Sequence, residues 1–74
     1  MKATEAIKAM LEDTGTSQAQ LAKGIGRNPN AIYNMFSLET DVKVGTLAKM
    51  CEVLGYKLYA ESPSGEKLEL TPKE

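Results

Sequence analysis

The sequence predicts a mainly α-helical fold in which four helices are followed by a C-terminal β-hairpin. Up to Gly55, apolar residues recur every three or four positions in four segments, and after Gly55 they recur at every second position. The 74 residues are enough for one modest core, because a chain of this size buries roughly 60% of its unfolded surface. We therefore expect a single domain over residues 1–74, with the helices at about 2–55 and the hairpin at about 56–71.

The first two helices follow from apolar spacing and a capping signal. The first helix has Thr4 near its start and Gly15 just past its end. Its apolar residues follow i, i+3, i+4 and i+7 spacing: Ala3, Ala6, Ile7, Met10 and Leu11. The second helix begins at a capping box, in which the Ser17 hydroxyl accepts from the Gln20 backbone N–H and the Gln20 side chain reaches back. It is expected to run to about Lys23.

A glycine-rich turn separates the second helix from the third. In Gly24-Ile25-Gly26, glycine lets the chain pass through positive φ, and Ile25 is expected to point inward. Asn28 is a good N-cap, and Pro29 suits the first helical position, where no N–H is needed. The third helix then places apolar residues on one face and polar, uncharged residues on the other: Ile32, Met35 and Phe36 inward, Asn30, Tyr33 and Asn34 outward.

The fourth helix is predicted from about Val44 to Leu54, with Thr40 or Asp41 as its cap and Gly55 as its stop. Its inward face is expected to consist of Val44, Leu47, Ala48, Cys51 and Leu54. Two strands follow, joined by the turn residues 62–65. Their apolar residues alternate with polar ones: Tyr56, Leu58 and Ala60 in the first strand, Leu68 and Leu70 in the second.

The composition argues against an enzyme and against a metal or cofactor site. The chain has one cysteine and no histidine, which excludes an internal disulfide, the usual Cys/His zinc sets and the commonest general base. Cys51 lies on an apolar helical stripe, where a free cysteine acts as a small hydrophobe. No apolar run approaches the ~20 residues that span a bilayer, and no signal peptide is recognised. We therefore expect a cytoplasmic protein without membrane contact.

Charge is distributed unevenly along the chain, whose net charge is −1. Residues 1–36 carry four basic and three acidic residues, whereas residues 61–74 carry two basic and four acidic residues. The segment Ser17–Phe36 contains no acidic residue, and its charged side chains are Lys23 and Arg27. This uneven distribution keeps a nucleic-acid partner open despite the overall charge.

Two short helices joined by a tight glycine turn form a helix-turn-helix pattern. The residues Ser17-Gln18-x-x-Leu21-Ala22-x-x-x-Gly26-x-x-x-x-x-Ile32 resemble the Cro/repressor type of helix-turn-helix, the XRE family. The resemblance covers about Lys2 to Tyr56 and implies a four-helix repressor-like domain that binds double-stranded DNA. It also implies that Leu21 and Ile32 are core positions. Ala22 would let the two helices cross closely, and Gly26 would make the turn.

The resemblance also assigns DNA contacts to individual residues. It places Gln18 against a phosphate and Asn28, Asn30 and Asn34 at or near base edges, where an asparagine can bond bidentately to adenine. Tyr33 is expected against a thymine methyl or a phosphate. The remaining candidate phosphate contacts are basic: Lys23, Arg27 and Lys43.

Several features depart from the family pattern. Pro29 replaces a residue that commonly reads bases, Phe36 stands where an acidic residue is frequent, and residues 37–41 lack the usual glycine-containing loop. The hairpin stands where a fifth helix is expected, so the family's dimer surface does not transfer to this chain.

The hairpin itself allows two interpretations. Two strands alone are marginal in water, so they either cover the helical core or pair with a symmetry mate in a four-stranded sheet. We expect the homodimer, because the hairpin carries more apolar surface than one small bundle hides. The expected interface consists of Tyr56, Leu58, Tyr59, Leu68 and Leu70.

These observations predict a small bacterial transcriptional regulator, a repressor or autoregulator that binds an inverted repeat in double-stranded DNA as a homodimer. One alternative is the antitoxin of a toxin–antitoxin pair, which would have a toxin as a protein partner. The other alternative is a protein-interaction module without a DNA role, which the acidic pI of about 5.4 favours.

Overall fold

The computed structural model describes residues 1–72. Its helices are α1 (Ala3–Thr14), α2 (Gln18–Gly24), α3 (Pro29–Leu38) and α4 (Val44–Leu54), and its strands are β1 (Leu58–Glu61) and β2 (Lys67–Leu70). The two strands form an antiparallel hairpin. The predicted fold, four helices followed by a C-terminal hairpin, is therefore confirmed. Within residues 1–72, no helix has the length and apolar character needed to cross a membrane.

The starts of α2 and α3 are fixed by side-chain caps. The Gln20 backbone N–H donates to Ser17 Oγ at 3.1 Å, and the Ser17 N–H donates to Gln20 Oε1 at 2.9 Å, so the predicted capping box is present. At α3 the Asn30 N–H donates to Asn28 Oδ1 at 2.8 Å, and Pro29 occupies the first helical position. Both helix starts were therefore predictable from short-range sequence signals.

The core draws one large, fully buried side chain from each helix: Ile7, Leu21, Ile32 and Met50. The remaining buried residues of this cluster surround these four, and they include Ala22, Ile25 and Phe36. Ala22 is 0% exposed, which agrees with the close packing of α2 expected from its small side chain. The cluster holds α2 and α3 in a fixed relative orientation.

The two glycines of the α2–α3 turn have different roles. Gly26 has a φ of +72° and makes the predicted left-handed turn. Gly24 is the last residue of α2 and does not have positive φ, so the expectation for it was wrong. Its role is close approach, because a Cβ atom there would lie 2.7 Å from Val53 Cγ1. Ile25 between them is buried, as predicted.

The start of α4 corrects two expectations. Val44 was expected to be inward but is 58% exposed, whereas Met50, which was not predicted, is 1% exposed. A helical stripe predicts a face, but burial also needs a neighbour at that level, and no other element covers Val44, although Gly45, Thr46 and Leu47 after it are half-buried. The N-cap is Lys43, which makes no side-chain cap hydrogen bond, and not Thr40 or Asp41.

The end of α3 has a left-handed residue. Glu39 caps the helix with φ 49° and ψ 41°, and its N–H donates to the Phe36 carbonyl at 3.4 Å. Within residues 1–72 it is the one non-glycine residue with positive φ. Its carboxylate also lies 3.6 Å from Lys2 Nζ, an exposed ion pair that links the first residues to the end of α3.

The hairpin has one apolar face. Leu58 pairs with Leu70 and Ala60 pairs with Leu68, so these four side chains share a face, and Tyr59 lies on the other face opposite Glu69. Leu58 packs against the helical core, whereas Leu68 is 65% exposed and Leu70 is 40% exposed. The core therefore covers only the base of the apolar face.

Tyr56 lies before β1 and not within it, which shortens the first predicted strand. Its N–H donates to the Cys51 carbonyl at 2.8 Å, and it is held by the C-terminal turn of α4. Its hydroxyl donates to Asp13 Oδ2 at 2.6 Å, and this hydrogen bond raises the pKa of Tyr56. Tyr56 thus connects the base of the hairpin to the end of α1.

Candidate nucleic-acid interface

The helix-turn-helix of α2 and α3 presents an exposed face without acidic residues. The turn is closed by the Arg27 N–H, which donates to the Ala22 carbonyl at 2.8 Å, and by the Gly26 N–H, which donates to the Lys23 carbonyl at 3.2 Å. From Ser17 to Leu38 the chain has no acidic residue, and its first acid thereafter is Glu39. A negatively charged ligand therefore meets no repulsion from these helices.

The four candidate base contacts are exposed on α3 and at its N-cap: Asn28, Asn30, Tyr33 and Asn34. The Oδ1 atom of Asn28 already accepts the Asn30 backbone N–H, so its free polar group is the amide nitrogen. The side-chain amides of Asn30 and Asn34 are one helical turn apart. They have no hydrogen-bond partner among the described residues, and Tyr33 is 46% exposed between them.

The candidate phosphate contacts fall into two groups. Arg27 and Lys43 line one cavity, and Asn34 from α3 lines it too. Arg27 Nη2 donates to Thr46 Oγ1 at 3.3 Å, which connects the turn to the first turn of α4. Gln18 and Lys23 do not line this cavity, and the structure leaves Gln18 half-buried and Lys23 exposed.

Sequence reasoning missed Thr46, which orients Arg27 from a distant part of the chain. Its signal in the sequence is weak, because a threonine in the first turn of a helix is common. Only its contact with Arg27, 19 residues away in the sequence, shows that it positions that side chain. Thr40 also lines the cavity and was considered only as a helix cap.

The candidate dimer residues divide between the core and the hairpin surface. Tyr56 and Leu58 are partly buried against the protomer's own core, whereas Leu68 and Leu70 are exposed. Tyr59 is 45% exposed on the opposite face of the hairpin, where Lys67 Nζ lies 5.0 Å from the centre of its ring. The five residues therefore do not form one continuous face.

The single cysteine is part of the core and not of a metal centre within the described structure. Cys51 is a free, buried thiol, and burial raises its pKa, which lowers the fraction of the reactive thiolate. Among residues 1–72, no cluster of acidic, cysteine or histidine side chains is arranged to hold a metal ion. The thiol packs as a core residue between α4 and its neighbours.

The comparison with known families agrees with this geometry. A helix-turn-helix family model matches residues 7–59, which cover α1 to the start of β1 and more than half of the chain. It describes a regulatory family and not an enzyme family. No curated protein and no solved structure gives a significant match. The chain belongs to the helix-turn-helix family of the XRE, or Cro/repressor, type, a family of DNA-binding transcription regulators.

Proposed function

We propose that the protein is a homodimeric repressor or autoregulator that reads an inverted repeat in double-stranded DNA with α3. The observation that carries this proposal is the acid-free exposed face of α2 and α3, with unpaired amides one turn apart at Asn30 and Asn34. Recognition helices enter the major groove through their N-terminal residues, where Asn30 lies, and Asn34 follows it one turn later on the same face.

The asparagines have different roles in this proposal. Asn30 and Asn34 have free donor and acceptor groups, so each can bond bidentately to adenine N6 and N7, with about 1–3 kcal/mol of discrimination per good pair. Asn28 uses its oxygen as the cap of α3, so it donates from its amide nitrogen to a base acceptor or a phosphate. Tyr33, which lies between Asn30 and Asn34 in the sequence, contacts a thymine methyl or a phosphate.

Four residues hold the DNA backbone in this proposal. Arg27 and Lys43 flank the cavity between α3 and α4 and contact one strand, with Arg27 kept in place by Thr46. Lys23 and Gln18 contact phosphate from the α2 side. These contacts add affinity and fix orientation, but they carry no sequence information.

The homodimer is proposed to form through the hairpin. Leu68 and Leu70 remain exposed on its apolar face, and each strand has its outer edge unpaired among the described residues. Pairing with a second copy would satisfy one of these edges and join the two hairpins in a four-stranded sheet with a continuous apolar face, and a twofold dimer suits half-sites spaced about 34 Å apart.

Selection from a random duplex library at about physiological salt, with non-specific competitor present, tests the DNA-reading proposal. We expect enrichment of an inverted repeat. Asn30→Ala combined with Asn34→Ala should lose the sequence preference yet keep the salt-dependent binding. The matched control is Ser37→Ala at the end of α3, an exposed polar change that should leave the preference intact. No enrichment with folded protein would contradict the proposal and favour a protein partner, such as a toxin.

Light scattering tests the dimer separately. Leu68→Glu combined with Leu70→Glu should halve the molar mass, because each protomer would have to bury two unpaired charges in the dimer interface. Val44→Glu is the matched control, since Val44 is an exposed aliphatic residue outside the hairpin. An unchanged mass in the double variant would show that the hairpin is not the dimer contact.

A further inference from the structure

A cavity of about 310 Å³ lies between α3 and α4, beside the candidate reading face. Its floor consists of Ile32, Met35, Val42 and Met50, of which Ile32 and Met50 belong to the core. Leu38 lies on its rim and is 70% exposed, so its side chain is free to contact a ligand. Small-molecule sites are mostly apolar, with a few polar groups, and occupy roughly 300–1,000 Å³.

The charged groups that line the cavity are two cations and one anion: Arg27, Lys43 and Asp41. Within the described part of the chain, neither cation has a carboxylate oxygen within 4.0 Å. One positive charge is therefore in excess at the rim, above an apolar floor. The complementary ligand has an apolar body and one anionic head group.

The start of α4 adds a second, independent preference for an anion. The N-cap Lys43 makes no side-chain cap hydrogen bond, so the first-turn N–H groups of this 11-residue helix receive no acceptor from it. Thr46 in that turn lines the cavity, which places the helix N-terminus at the cavity wall. Free N–H groups and the helix dipole both favour a negative group there.

From this juxtaposition we propose that the cavity binds an amphipathic carboxylate of the medium-chain fatty-acid class. The alkyl chain lies on Met35 and Met50 and is flanked by Leu38. The carboxylate lies at the rim, where Arg27, Lys43 and the start of α4 converge. No covalent step is involved, and binding needs no metal or cofactor.

Binding at this site has a consequence for DNA, and this part rests on the proposed function. Arg27 and Lys43 are also the proposed phosphate contacts beside α3, so the carboxylate and a DNA phosphate compete for the same two cations. Because linkage is reciprocal, the ligand lowers DNA affinity by the same factor by which DNA lowers ligand affinity. The cavity would therefore let a small anion release the protein from DNA without a separate effector domain.

The first test uses the full chain without DNA and follows the methyl signals of its four methionines by ¹³C NMR during titration with octanoate. Met35 and Met50 line the cavity, whereas Met10 lies elsewhere in the core and Met1 is 95% exposed at the start of the chain. We expect saturable shifts of Met35 and Met50, with Met1 and Met10 unchanged. Equal responses of all four signals, or no saturable response, would overturn the proposal.

Two controls separate the head group from the alkyl chain. 1-Octanol, with the same chain and no charge, should bind about tenfold more weakly, the value of one charge-assisted hydrogen bond. Leu38→Ser should weaken octanoate binding several-fold, whereas Val44→Ser, at another exposed aliphatic position outside the cavity, should not. Equal affinity for the alcohol would overturn the carboxylate assignment, and equal affinity of both variants would overturn the location.

The DNA consequence is measured afterwards as the fold-change in DNA affinity at saturating octanoate. Weaker DNA binding with octanoate, but not with 1-octanol, supports competition. If octanoate binds by NMR but DNA affinity is unchanged, the site stands and the competition is wrong. If no DNA is bound under any condition, the proposed function fails, and the NMR titration still decides the site.

Discussion

At the residue scale, Gly24 shows that a glycine can be required by a neighbour and not by its own backbone. We expect Gly24→Ala to destabilise the fold by about 1–3 kcal/mol, because the added Cβ would meet the stiff Val53 side chain at 2.7 Å. Chemical denaturation of the two proteins measures the difference in the free energy of unfolding.

Two variants show whether this contact is the cause. Gly45→Ala is the matched control: a Cβ at Gly45 meets nothing within 4 Å, so alanine should stabilise α4 by about 0.5–1 kcal/mol. Val53→Ala should restore most of the loss in Gly24→Ala. If Gly24→Ala is as stable as the parent protein, the close approach of α2 and α4 does not limit packing.

Tyr56 gives a residue-scale prediction for pH. Its pKa is raised in the folded protein by the hydrogen bond to Asp13, so this bond stabilises the fold fully below the unfolded tyrosine pKa near 10. The stabilisation is lost as the pH rises through the folded pKa, where the phenolate would repel the carboxylate. Between pH 8 and pH 11, the free energy of unfolding in urea should therefore fall more for the parent protein than for Tyr56→Phe.

The control for that experiment is Tyr33→Phe, since Tyr33 is exposed and makes no hydrogen bond within the described residues. It should lose as much stability as the parent between the two pH values. Parallel losses in the parent and in Tyr56→Phe would show that the Tyr56–Asp13 bond contributes nothing to folding.

At the element scale, α3 depends on Asn28 for its start and places the same residue on the candidate DNA face. Asn28→Asp keeps the cap oxygen and adds a charge that the helix N-terminus favours, so stability should be unchanged or slightly higher. In the proposed complex the same carboxylate would face DNA phosphates, so DNA affinity should fall at least tenfold. Thermal unfolding and a DNA titration separate the two effects.

Asn28→Ala completes the pair, because it removes the cap and should cost about 1 kcal/mol of stability. Its effect on DNA should be smaller than that of Asn28→Asp, since it adds no repulsion. Equal DNA affinity of the parent and Asn28→Asp would place Asn28 away from the DNA.

Elements that depend on local signals were predictable from the sequence. Each of the two helix starts depends on residues no more than four positions apart, Ser17 with Gln20 and Asn28 with Pro29. Both caps are present in the structure. Val44 failed because its burial depends on which neighbours reach the first turn of α4, and helical spacing does not contain that information. Tyr56 failed as a strand residue because its backbone N–H donates to the Cys51 carbonyl at the end of α4, and its hydroxyl bond to Asp13, 43 residues away in the sequence, is not visible to strand periodicity.

At the scale of the whole molecule, an acidic protein presents a helix-turn-helix without acids. If Lys43 contacts a phosphate, Lys43→Gln should lower the magnitude of the log–log salt slope of DNA binding by about 0.9 per lost contact. Lys57→Gln has the same charge change and is exposed beside the hairpin, so it should leave the slope unchanged. Equal slopes for Lys43→Gln and the parent would remove Lys43 from the backbone contacts.

The candidate site was predictable only in part, for a reason that belongs to the whole molecule. The outward face of α3 follows from helical spacing, so Asn30, Tyr33 and Asn34 were found to be exposed together. The cavity combines Arg27 from the turn with Thr46 from α4, and no spacing rule connects positions on separate elements. The resemblance to the family supplied the candidate contacts to DNA but could not supply this cavity, which depends on how the rest of the fold places α3 beside α4.

The backbone strain at the end of α3 can be removed by one mutation at Glu39. A non-glycine residue in the left-handed region costs roughly 1–2 kcal/mol, and the exposed ion pair of Glu39 with Lys2 offsets little of it. Every glutamate codon becomes a glycine codon by one base change, so a single transition would remove this strain. A single base change could therefore stabilise the protein, at a position outside the face proposed to read DNA.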